Sequence, residues 1–222
     1  MMFSICSGPR AAACVLAVGL GSSVALGAVG SLSSPSELIV GGNWVNTGYV
    51  VSYEVTQNGN GTWHYEYSLR TISGGGLTPN TSHFIIQLSQ NINPQTDLFN
   101  FAGPIADIEY GTFGPSAGNP GFPTGESIFG MKINTTSGVA DFSFDSVRAP
   151  MWGDFYAKGA NDFAYNSDLG VFVANADDYL SPALGAFGQP LNKILVPDTV
   201  IPAPGAAALL GLGGLLAARR RR

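Results

Sequence analysis

Between residues 49 and 71, apolar and polar positions alternate one by one. In "YVVSYEVT", Tyr49, Val51, Tyr53 and Val55 share one side of the period, and Val50, Ser52, Glu54 and Thr56 the other. In "WHYEYSLRT", Trp63, Tyr65, Tyr67 and Leu69 oppose His64, Glu66, Ser68 and Arg70. A period of two, built from aromatic and β-branched residues, predicts half-buried strands. The intervening "QNGNGT" holds two Asn-Gly steps, which supply the positive φ of a tight turn. Residues 49–71 are therefore expected to form a β-hairpin. Further strands are expected in "HFIIQLS" (83–89), "IADIEYGT" (105–112), "SIFGMKIN" (127–134), "VADFSFDS" (139–146), "MWGDFYAK" (151–158) and "LNKILVP" (191–197). "GTFGPSAGNPGFPTGES" (111–127) reads as a long loop between strands. Thirty glycines and fourteen prolines punctuate the chain, and no internal repeat is present. Many short strands joined by Gly/Pro turns predict an all-β fold, an antiparallel β-sandwich of jelly-roll-like or Ig-like type.

The two ends follow different patterns. Arg10 precedes an apolar run from Ala11 to Leu20, and small residues follow at Ser22, Ser23, Ala25, Gly27 and Ala28. This is the layout of a secretory signal peptide with its N-terminal signal helix, expected to be cut after Ala25 or Gly27. Cys14 lies too early in the run to serve as a lipoprotein cysteine. At the other end, fourteen uninterrupted apolar residues, Gly205 to Ala218, predict a short C-terminal apolar helix of about 21 Å. A bilayer core is about 30 Å thick, so the helix is a marginal span. Arg219, Arg220, Arg221 and Arg222 behind it form a cytoplasmic stop. The expected organisation is a signal peptide over 1–27, a β-sandwich over 28–199 and a membrane-associated C-terminal segment over 200–222.

Removing the ends changes the composition. Both cysteines, Cys6 and Cys14, fall in the leader, so the exported domain has no disulfide and no thiolate nucleophile. Its cations are Arg70, Lys132, Arg148, Lys158 and Lys193, against all fifteen acids, for a formal charge of −10. Nucleic acid is excluded as a partner, since it requires clustered Lys and Arg.

Candidate chemistry is sparse. His64 shares a polar strand face with Glu66 and Arg70, which reads as a solvated face. His83 follows Ser82, but neighbours on a strand point to opposite faces and cannot form a catalytic pair. His83 is expected to be hydrogen-bonded at a strand end. Glu54 and Glu66 could oppose each other across the hairpin, as the two carboxyls of a glycosidase must across a sugar bond. "NDFAYNSD" (161–168) and "NADD" (175–178) concentrate oxygen ligands that could hold a structural calcium, without EF-hand spacing. No other cofactor is expected. Trp152, Phe155 and Tyr156, or Trp44 and Tyr49, could form an aromatic sugar platform or belong to the core.

The order of a proline pair (Pro202, Ala203, Pro204), a short apolar helix and the terminal cluster Arg219–Arg222 resembles the PEP-CTERM sorting signal of exported bacterial proteins. Ala203 stands where that family carries glutamate. The resemblance implies processing near the proline pair by exosortase, a membrane transpeptidase-like enzyme. The blocks "GTWHYEYSL", "SHFIIQLS", "GNPGFPTGESIFGMKI" and "APMWGDFYAKG" also resemble segments of exported bacterial proteins bearing this signal. The expected function is a cell-surface or extracellular-matrix protein associated with exopolysaccharide, with no evident catalytic activity. The alternatives are a carbohydrate-binding module of the matrix and a matrix glycoside hydrolase.

Overall fold

A computed structural model of the chain describes residues 27–135, 137 and 140–197. The expected signal helix and C-terminal helix lie outside the described residues. Thirteen strands run in the order β1 (Gly27–Ser33), β2 (Leu38–Gly41), β3 (Val50–Gln57), β4 (Trp63–Arg70), β5 (His83–Gln87), β6 (Leu98–Ala102), β7 (Ile105–Phe113), β8 (Ile128–Thr135), β9 (Ala140–Ser146), β10 (Pro150–Gly153), β11 (Phe155–Gly159), β12 (Asp162–Asn166) and β13 (Ile194–Pro197). Single helical turns sit at α1 (Trp44–Thr47) and α2 (Pro94–Asp97).

The strands make an antiparallel sandwich. One sheet has the order β1-β3-β4-β9-β6, the other β2-β12-β11-β5-β8-β7, and β10 and β13 form a separate ribbon. β3 and β4 pair from Val50↔Arg70 to Gln57↔Trp63, as the alternation predicts. Tyr49, Val51, Tyr53, Val55, Trp63, Tyr65, Tyr67 and Leu69 are all buried. Their turn closes with the Asn58 N–H donating to the Thr62 carbonyl at 2.8 Å, and Gly61 takes the positive φ of 85°.

Aromatic stacking fills the space between the sheets. Tyr67 lies 5.5 Å from Phe142 and 5.9 Å from Phe84, which in turn packs 5.4 Å from Phe155. Such pairs contribute about 0.5–1.5 kcal/mol each beyond their area burial. Two of the phenols are anchored as well: Tyr65 Oη donates to the Arg148 carbonyl and Tyr67 Oη to the Leu195 carbonyl.

The residues around "MWGDFYAK" depart from the expected single strand. They divide at Asp154 into β10 and β11, which join different sheets. The break follows from burying an acid. The Asp154 carboxylate accepts from Lys193 Nζ at 2.5 Å, Asn166 Nδ2 at 2.7 Å and the Gly170 N–H at 3.1 Å. A second buried pair joins Arg148 to Asp97 at 2.6 Å. In a thiol-free body, these pairs tie the β10–β13 ribbon and α2 to the sandwich. Strands β1, β2, β6 and β12 were not expected from the sequence, and β1 begins at Gly27, inside the segment read as leader.

Candidate functional site

The outer faces of the two sheets carry the groups with potential chemistry. On the five-stranded sheet, cross-strand register makes polar rows: Val29, Glu54, Glu66 and Ser143 in one, and Thr56, His64 and Asp145 in the next. Glu54 and Glu66 stand directly opposite, as the sequence allowed. Like charges in that position repel, and a shallow depression of about 140 Å³ lies over them, lined also by Val29, Ser52 and Ser68. His64 does not pair with Glu66. Its Nδ1 lies 2.8 Å from Asp145 Oδ1, and Asn100 Nδ2 donates to Asp145 Oδ2 at 2.7 Å. Burial raises the Asp145 carboxyl, but Asn100 and His64 outweigh it and hold it below the ordinary carboxylate range. Arg70 forms an ion pair with Asp141, on the same face of β9 as Asp145.

The outer face of the six-stranded sheet is covered over its centre. The segment 114–127, after β7, folds across it and builds a second apolar cluster from Ile85, Phe122, Ile128, Tyr156 and Leu169. Tyr156 Oη donates to the Pro120 carbonyl at 2.7 Å, and Asn119 Nδ2 donates to the Gly114 carbonyl. His83 is buried under this cover, with Nε2 3.1 Å from Asn119 Oδ1. Burial and the nearby Lys132 and Lys158 push its pKa down to about 4. Ser82 Oγ donates instead to the Lys158 carbonyl, so the two neighbours form no catalytic pair. His83 is hydrogen-bonded at a strand end, as expected, through a loop residue that the sequence did not single out.

The loops that could hold calcium have their side chains engaged within the fold. Residues 162–166 are strand β12, where Asp162 Oδ2 accepts the Trp44 N–H at 3.2 Å. Asp168 Oδ2 accepts the Asn192 N–H, and the Asn175 side chain bonds to Pro182 and Leu184. Among the described residues, no group of three or more His, Cys, Asp or Glu could hold a metal ion. Of the two readings of the aromatics, platform or core, the fold takes the core. Trp44, Tyr49, Phe155 and Tyr156 are fully buried, and the Trp152 indole donates to the Asp178 and Ser181 carbonyls. Among the described residues, the large aromatics most open to solvent are Phe172 and Phe187, on the excursion between β12 and β13.

Comparison with known proteins adds no family: no family model, curated protein or solved structure matches the chain. Pro202, Ala203, Pro204 and Arg219–Arg222 lie outside the described residues. Among the described residues, no helix is long and apolar enough to cross a membrane. One feature missed by sequence reading is a groove of about 720 Å³ between β2, α1 and the turn after β4. Its residues are scattered over 34–73 without periodicity, so only the folded register brings them together.

Proposed function

We propose that the chain is an exported cell-surface or extracellular-matrix protein, delivered by its leader and handed over by its C-terminal segment. The observation that carries this reading is the C-terminal order of Pro202-Ala203-Pro204, fourteen apolar residues and four arginines. A short apolar helix backed by cations holds its basic end on the cytoplasmic side. The prolines cannot continue a helix interior, so they mark an extended site for a processing enzyme of exosortase type. The body suits such a role. It is stabilised by an aromatic core and buried ion pairs rather than by thiols. Glu54 and Glu66 occupy a shallow depression rather than a cleft, which supports a structural role over hydrolysis.

The test is cell fractionation of the full chain beside a form ending at Val200. The full chain is expected at the envelope or in the matrix, with the truncated form free in the medium or periplasm. Equal surface retention of both forms would refute the sorting role.

A carbohydrate-binding reading has one specific observation in its favour: Phe172 and Phe187 are 71% and 95% exposed. Retention of the full chain on purified exopolysaccharide, lost on Phe172→Ala and Phe187→Ala substitution, would establish it.

A further inference from the structure

Among the described residues, Lys193 is the only buried lysine and Asn166 the only buried asparagine, and the two meet at one atom. Lys193 Nζ donates to Asp154 Oδ1 at 2.5 Å, and Asn166 Nδ2 donates to the same oxygen at 2.7 Å. The Lys193 side chain is 1% exposed, that of Asp154 9%, and Asn166 is fully buried. Three separate parts of the chain supply them. Asp154 stands at the break between β10 and β11, Asn166 ends β12, and Lys193 immediately precedes β13.

Their surroundings complete a reactive set. The Phe155 N–H donates to Asn166 Oδ1 at 3.0 Å, so a buried backbone donor is aimed at the carbonyl oxygen of the side-chain amide. Lys193 Nζ also donates to the Asp168 carbonyl at 2.8 Å, which holds the amine in place. The Gly170 N–H occupies Asp154 Oδ2 at 3.1 Å and leaves Oδ1 to the amine and the amide. An ion pair alone would need only Lys193 and Asp154. The other buried pair, Arg148 with Asp97, cannot react in this way, because a guanidinium does not give up its proton. A buried lysine amine becomes a nucleophile once it does.

We propose that Lys193 and Asn166 become joined by an intramolecular isopeptide bond, formed by the folded chain itself with Asp154 as the proton carrier. A proton passes from Nζ to Asp154 Oδ1, which replaces two buried charges by two neutral groups. The freed lone pair attacks Asn166 Cγ, and the Nζ–Cγ bond forms. The charge that develops on Asn166 Oδ1 falls on the Phe155 N–H, at a distance suited to an oxyanion donor. The Cγ–Nδ2 bond then breaks, with its electron pair going to Nδ2. Asp154 gives its proton to Nδ2 and takes the next one from Nζ. Two protons of the lysine ammonium thus reach Nδ2, which departs as ammonium, and Asp154 ends as the carboxylate it was. No oxidant and no cofactor is consumed.

The bond would tie β12 to the start of β13 and clamp the base of the excursion that carries Phe172 and Phe187. In a body without thiols it does the work of a disulfide, closing a loop and restricting the unfolded chain. It requires nothing of the chain's ends, so it holds or fails apart from the export reading.

The test is trypsin digestion of the full chain, purified in its folded form and then denatured, with mass analysis of the fragments. An unlinked chain is cut after Lys158 and Lys193 and releases Gly159–Lys193. In the linked chain Lys193 has no free amine, so trypsin passes it. The fragment that starts at Gly159 is expected to run beyond Lys193 and to weigh one ammonia less than its sequence. Lys193→Arg keeps a cation and a trypsin site but offers no amine, and should release 159–193 at the full mass of its sequence. Asp154→Asn removes the proton carrier and should lower the linked fraction at least tenfold with the far-ultraviolet dichroism unchanged. Should that variant fail to fold, the fragment masses of the unsubstituted chain decide alone. Release of Gly159–Lys193 at full mass as the main product of the unsubstituted chain overturns the proposal. So does an ammonia lost only from another fragment.

Discussion

The two histidines of the body sit on the outer faces of opposite sheets and meet opposite environments. His64 lies on the open face, its side chain 38% exposed and paired with Asp145. His83 lies on the covered face, sealed by the segment 114–127 and stripped of its charge by burial. Both lie at the start of their strands in similar sequence, His64 second in "WHYEY" and His83 first after Ser82 in "SHFII". Their difference comes from a covering segment thirty residues or more downstream of His83, with no regular structure of its own. A loop rich in glycine and proline can thus act as a third layer, turning one polar-side position into core.

Removing the cover should have the largest effect. Phe122→Ala takes the buried ring out of the second cluster and should cost about 3–5 kcal/mol in chemical denaturation. A loss below about 1 kcal/mol would show that the segment lies on the sheet without holding it. The next effect is pH-dependent. With a folded pKa of about 4 against about 6.5 unfolded, His83 binds fewer protons in the folded state between those values. Stability should therefore fall by about 3 kcal/mol as pH drops from 6.5 to 4. His83→Gln should flatten that part of the profile, leaving the carboxylates to act at lower pH. On the open face, His64→Ala should cost less than about 1 kcal/mol, the usual value of an exposed pair. The smallest change is a gain: Glu54→Gln relieves the opposition to Glu66 and should stabilise by a few tenths of a kcal/mol, about the lower end for cross-strand pairs. In the main core, Tyr49→Phe removes a buried hydroxyl that lacks a hydrogen-bond partner and should stabilise by about 1 kcal/mol.

The legible parts of the fold were those where one face is dry and the other wet. β3 and β4 alternate without error because the core takes Tyr53 and Tyr67 while solvent takes Glu54 and Glu66. β5 was legible as an apolar run because both of its faces are covered. The missed elements break these rules for identifiable reasons. β12 directs Asp162 and Asn166 inward, which only their distant partners Trp44 and Asp154 make tolerable. β2 has four residues, too few for a period. Asp154 looked like the polar position of one strand and is the buried acid at which two strands part. The site was less legible than the fold. Sequence allowed Glu54 to oppose Glu66, yet read the His64 face as solvated and did not show its partner, because Asp145 arrives from a strand eighty-one residues away. Sequence left the aromatics open between a sugar platform and the core for the same reason: exposure depends on what packs above, which no local pattern records.

Intact mass, with N-terminal sequence, of the protein recovered from the cell envelope tests the central claim most directly. The account predicts a chain that starts at Leu26 or Ala28 and has lost Arg219–Arg222 by processing near Pro202–Pro204. A 222-residue chain of 23.0 kDa, folded in the cytosol with both ends present, would contradict it.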